Sequence, residues 1–162
     1  MAANTGESYW DIVRRQFRKN KLAVLSLRVL YFIIFVGVFA DFIANEKPIV
    51  CKLNGNIYFP VFRQYIVDAG LGGWPKDLQN ADWLNLKYEF SIHPPIPYSP
   101  TTVDLTNGDY ASPSGEQEVA SWRWRHQLGT DQIGRDVFAG LVHGTRIAML
   151  VGVVSMAIAT II

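Results

Sequence analysis

The sequence predicts an all-α integral membrane protein in which two transmembrane helices flank a mostly irregular insertion with one short β-hairpin. Three observations predict it. Residues 22–43, LAVLSLRVLYFIIFVGVFADFI, form a nearly unbroken apolar run; as a helix it is roughly 33 Å long at about 1.5 Å per residue, enough for a hydrocarbon core of about 30 Å. A second apolar stretch follows residue 135, with small residues at helical spacing. Between them the chain is mixed in polarity and punctuated by Gly, Pro and Trp. The net charge of +1 carries no excess that suggests nucleic acid, and the 49% of hydrophobic residues are clustered rather than dispersed, which makes the clusters decide the class.

Residues 1–21 are basic. Arg14, Arg15, Arg18, Lys19 and Lys21 stand against only Glu7 and Asp11, so the positive-inside rule puts the N-terminus in the cytoplasm and the chain beyond Ile43 outside. Trp10, Val13 and Phe17 share one helix face, which is either an interfacial helix lying on the membrane or a short solvated one. The run 22–43 is longer than the apolar part of a signal peptide, and Phe42 spoils a small-residue cleavage pattern near Ala44, so it reads as an uncleaved anchor. Arg28 and Asp41 lie toward its ends, where side chains reach the headgroups at reduced cost.

Residues 44–134 form the extracytoplasmic insertion. Asn54-Gly55, between Lys52-Leu53 and Ile57-Tyr58-Phe59, signals a hairpin. The stretch Ile92 to Pro100, with Pro94, Pro95 and Pro97, is expected to be an extended, rigid connector. Trp122 and Trp124 suit either the headgroup layer or the interior of the insertion. The single cysteine, Cys51, has no intramolecular disulfide partner and no ligand-spaced neighbours, and reads as a small apolar residue.

Residues 135–162 start the second transmembrane helix. Gly140, Gly144, Ala148 and Gly152, then Ser155 and Ala159, line one face. In lipid, helices associate through close packing more than through apolar burial, so this seam is expected to meet other spans. Thr130 or Asp131 is the expected N-cap ahead of a helix from Arg135. His126, Asp131 and Asp136 fit no common metal spacing. No phosphate-cradling loop, acid/base carboxylate pair or repeat stands out, so neither enzymatic chemistry nor a cofactor is expected. Only about sixteen residues of the second span precede Ile162, short of the roughly twenty of a complete crossing, and the chain is expected to be the first part of a longer protein.

With these residues in place a resemblance emerges. Leu128-Gly129-Thr130-Asp131-x-x-Gly134-Arg135-Asp136-Val137, then Gly144-x-Arg146-Ile147 and Val151-Gly152, resembles the opening of the transport domain in C-type permease subunits of the dipeptide/oligopeptide/nickel ABC importer family. Arg18-Lys19-Asn20-Lys21-Leu22-Ala23 at the first span is similar to the family's N-terminal pattern, and Ile43 to Pro48, Tyr58-Phe59-Pro60 and the long insertion are most like the YejE-type branch. Gly140 and Ala148 depart from the Arg and Ser that many members carry. The resemblance implies a multi-pass permease of the bacterial inner membrane that imports peptides. Its partners would be a second permease subunit, two ATP-binding subunits that hydrolyse the ATP and a periplasmic solute-binding protein. For Gly129, Thr130, Asp131, Gly134, Arg135, Asp136, Gly144 and Arg146 it implies gating or partner contact. The competing class is a signal-anchored protein whose outer segment is an interaction domain.

Overall fold

A computed structural model describes residues 8–162; residues 1–7, including Glu7 of the charge argument, lie outside the described residues. The chain divides into two units, one up to Phe35 and one from Val36 to Ile162.

The first unit is helical. Helix α1, Tyr9–Lys19, holds Trp10, Val13 and Phe17, and α2 begins at Lys21 and runs to Val38. Asn20 separates the two: its side-chain oxygen accepts from the backbone N–H groups of Leu22 and Ala23, at 3.1 and 3.2 Å. An Asn at that position satisfies donors that the first turn of a helix leaves orphaned.

In the second unit the apolar run breaks where one continuous helix was expected. Helix α2 stops at Val38, and a four-residue α3, Ala40–Ile43, comes next. The hairpin is present: β1, Val50–Leu53, pairs antiparallel with β2, Asn56–Tyr58, and Asn54 and Gly55 both have positive φ, as a two-residue type I′ turn requires. A third strand, β3, Phe90–Ile92, adds to the other side of β1, giving a sheet in the order β2-β1-β3. The all-α description is corrected by this sheet. Glu89 ties it together, accepting from the Gly55 N–H at 2.8 Å and pairing with Lys52 at 2.9 Å. After β2, α4 spans Pro60–Asp68.

The Pro-rich stretch is more than a connector. Ile96 donates its N–H to the Ile43 carbonyl at 3.0 Å and accepts from Asn45 at 3.1 Å. Ile96 and Tyr98 are buried with Ala40, Ala44, Ala139 and Val142 in one cluster, so the stretch is a strap between α3 and the last helix. Trp124 takes the interior option, edge-on to His93 and Tyr98, while Trp122 is exposed.

Helix α5 runs from Val137 to Ile161, 25 residues, longer than the roughly sixteen residues expected of the second span. Both α2 and α5 are long and apolar enough to cross a membrane, and their side chains face almost wholly outward, which is the pattern of helices solvated by lipid rather than by a protein core.

Candidate functional site: a clasp on the second helix

The string from Gly129 to Asp136 folds into a tight loop that fastens the insertion to the start of α5. Gly129 and Gly134 adopt φ of +77° and +87°. A Cβ at Gly129 would collide with the Ala111 carbonyl, and one at Gly134 with that of Asp104. Both positions need glycine for conformation and for space. Thr130 is buried; its hydroxyl donates to the Asn107 carbonyl and accepts from the Ala111 N–H at 3.0 Å, while its own N–H donates to the Ala111 carbonyl at 3.1 Å.

The cap expected of Thr130 or Asp131 falls to Asp136. The helix starts at Val137, and Asp136 is its N-cap, accepting from the Ala139 N–H at 2.6 Å. Asp131 instead closes the loop, accepting from the N–H groups of Ile133 and Arg135 at 3.0 and 2.8 Å and from Arg135 Nε at 2.8 Å. Arg135, expected to be free for an outside partner, is thus held by Asp131. The physical reason is that the loop must reverse direction between Thr130 and Asp136, which form an isolated bridge, before a helix can begin.

The other oxygen of Asp136 meets His126. Nδ1 of His126 lies 2.9 Å from Asp136 and Nε2 lies 3.3 Å from Asp104, and the imidazole stacks on Tyr98 with ring centres 4.2 Å apart. His126 is 1% exposed. Burial alone would favour the neutral ring, but hydrogen bonds and charge from Asp136 and Asp104 outweigh it and raise the pKa. For Asp104 burial likewise opposes ionisation, and hydrogen bonds from Thr106, Asn107 and His126 overcome it, holding the carboxyl at about 2. An imidazole between two carboxylates therefore joins the strap, the insertion and the N-terminus of α5.

A second junction lies further along α5. Arg146 donates from Nε to the Gly37 carbonyl at 2.9 Å and from Nη2 to the Val38 carbonyl at 3.4 Å and to Asp41 at 2.8 Å. The carbonyls at a helix C-terminus have no intrahelical partner, and a cation there also opposes the negative end of the helix dipole. Arg146 fills both roles where α2 stops. Tyr65 donates its hydroxyl to the same Asp41 carboxylate, and His143 Nε2 lies 2.8 Å from the Ala44 carbonyl. Asp41 is therefore a paired side chain rather than one reaching for headgroups. Gly37, which the sequence did not single out, sits where the helices touch; a Cβ there would lie 3.2 Å from the Met149 sulfur.

The small-residue seam faces elsewhere. Around Gly140, Gly144 and Gly152 nothing lies within 4 Å of where a Cβ would be, and Ala148, Ser155 and Ala159 are exposed. The contact face of α5 in this chain is Ala139, Val142, His143, Arg146 and Met149.

Two helices long and apolar enough to cross a membrane, with a folded stretch clasped between them, fit an integral membrane protein. Residues 8–59 match the family model described as the N-terminal TM domain of oligopeptide transport permease C. The chain is 31% identical over 144 residues to the inner membrane ABC transporter permease protein YejE of Escherichia coli, covering 85% of this chain and 39% of that protein. It is 28% identical over 162 residues to the peptidoglycan transport system permease protein YejE of Agrobacterium fabrum, covering 85% of this chain and 42% of that one. The chain is thus similar to C-type permease subunits over 85% of its own length, and it spans about two fifths of the length of these curated relatives. No solved structure matches it.

Proposed function

We propose that this chain is the opening part of a transmembrane permease subunit in a binding-protein-dependent ABC importer that moves peptides across a bacterial inner membrane. The carrying observation is that the string on which the resemblance rests, Gly129 to Asp136, folds into the clasp that fastens the insertion to α5. The N-terminus and Arg14 to Lys21 are cytoplasmic, residues 44–134 are periplasmic, and the whole subunit is multi-pass. The basic bias before α2 supports this orientation. A second permease subunit packs on the Gly140/Gly144/Ala148/Gly152 seam, continued by Ser155 and Ala159, which this chain leaves uncovered.

Two ATP-binding subunits hydrolyse ATP, so the chain itself is no enzyme. The periplasmic solute-binding protein docks above the clasp. Gating works by alternating access, in which loaded binding protein favours one of two arrangements of the helices; the clasp makes the insertion and the start of α5 move as one piece. The test is uptake of a radiolabelled tripeptide by cells in which the full-length gene is deleted and then restored. Loss on deletion and recovery on restoration is expected; unchanged uptake of tripeptides together with lost uptake of cell-wall muropeptides would replace peptides by the latter as the cargo.

A further inference from the structure

Helix α4 presents an apolar face that stays exposed among the described residues. Its inner side is occupied: Pro60 and Val61 are buried, the helix packing on β1 beside Cys51. Residues three and four apart share a helix face; on the side away from Pro60 and Val61, Phe62 and Ile66 are exposed, with exposed Tyr65 on the flank next to Val61, Phe59 just before them and Leu71, 81% exposed, just after. A contiguous exposed face of this kind marks an interaction surface.

Arg63 lies beside Ile66 on this side, both next to Gly72, and the polar side chains of α4 are engaged within the chain. Arg63 donates to the Gly73 carbonyl from Nε at 3.0 Å and from Nη2 at 2.6 Å, Gln64 donates to Asp68, and Tyr65 donates to Asp41. The rings also form an unbroken series with the end of the first membrane-length helix. Phe39 meets Phe42 at 6.2 Å, Phe42 meets Phe62 at 5.1 Å and Tyr65 at 6.5 Å, and Phe62 meets Phe59 at 6.3 Å between ring centres.

We propose that α4 is a membrane-interface anchor: Phe59, Phe62 and Ile66 enter the headgroup–acyl boundary of the leaflet at the α3 end of the span, with Tyr65 at headgroup level. The occupant is phospholipid. Continuity of the rings with Phe39 and Phe42, directly after α2, sets the patch at the depth where aromatic side chains gather, and an apolar face whose one guanidinium is tied to the Gly73 carbonyl at its border is the division that holds a helix in the plane of the interface. The inference rests on the membrane location of α2.

The test uses the full-length permease, assembled with its partners in nanodiscs of phosphatidylethanolamine and phosphatidylglycerol, in a Cys51→Ala background. Nitroxide labels are placed singly at Phe62→Cys and Ile66→Cys, with Phe59→Cys as a further site should either disturb assembly, and collision with oxygen is compared with collision with a water-soluble nickel chelate. Labels at Phe32→Cys in α2 and at Leu105→Cys, 86% exposed in the insertion, give the lipid and water references. The oxygen-to-nickel ratio at positions 62 and 66 is expected to be several-fold above that at 105 and below that at 32. A ratio equal to that at 105 overturns the anchor, as does a label immobile and closed to both reagents, which would mean that a companion subunit covers the face. An aqueous reading at position 32 would overturn the span itself, and with it both readings.

Discussion

Asp136 carries two interactions at once, capping α5 through one oxygen and holding His126 through the other. Both side chains of that pair are 1% exposed, so removing the carboxylate leaves a buried imidazole facing Asp104 alone. Breaking a buried pair from one side costs about 3–5 kcal/mol, against the roughly 0.5–2 kcal/mol of an N-cap by itself. Thermal unfolding of the purified full-length subunit is expected to show a much larger loss for Asp136→Ala than for Asp131→Ala, whose carboxylate is more exposed; equal losses would return the cap to the position first expected. The string itself marked both aspartates, because Gly, Thr and Asp before an apolar helix are start signals. The two candidate caps, Thr130 and Asp131, stand a whole loop ahead of the helix, and it is His126, brought in by the fold, that holds Asp136 at its start. Asp104 and Asp41 carried no comparable mark, since their partners lie far along the chain and no periodicity links them.

At the level of elements, α2, α4 and α5 were legible to different degrees for one reason: hydropathy reports length and face but not where a ladder breaks. It placed two membrane-length helices and the Asn54-Gly55 hairpin. It did not show that α2 ends at Val38, because Arg146 supplies the missing carbonyl partners from another element. Nor did it show β3, whose edge pairing with β1 precedes a run of prolines that masks it. The glycines of the two helices then separate by experiment. Gly144→Leu and Gly152→Leu meet open space in this chain, so they are expected to leave its own stability near the parent while abolishing co-purification of the second permease subunit. Gly37→Leu runs into Met149 and is expected to destabilise the chain itself. Co-purification at the parent level in both seam variants would show that the seam faces lipid.

For the whole molecule, the His126 cluster sets a pH window for the integrity of the insertion. A histidine whose folded pKa is raised stabilises fully below the unfolded value of about 6.5 and loses that contribution as pH rises through the folded value. Asp104, held at about 2, stabilises fully above the unfolded value of about 4 and loses its contribution as pH falls toward 2. Unfolding temperature of the full-length subunit is therefore expected to be highest between about 4 and 6.5 as far as this cluster governs it, and His126→Gln is expected to flatten the alkaline decline. An unchanged alkaline limb in that variant would place the pH sensitivity elsewhere. The same cluster bears on the central claim, that the clasp couples the insertion to the helices during transport. The most direct measurement is ATP hydrolysis by the full-length importer reconstituted in liposomes, with and without peptide-loaded binding protein, for the parent and for Asp104→Asn, which removes one carboxylate charge while keeping its shape. Retained basal hydrolysis with loss of most of the stimulation by binding protein is the predicted result; stimulation equal to the parent's would contradict it.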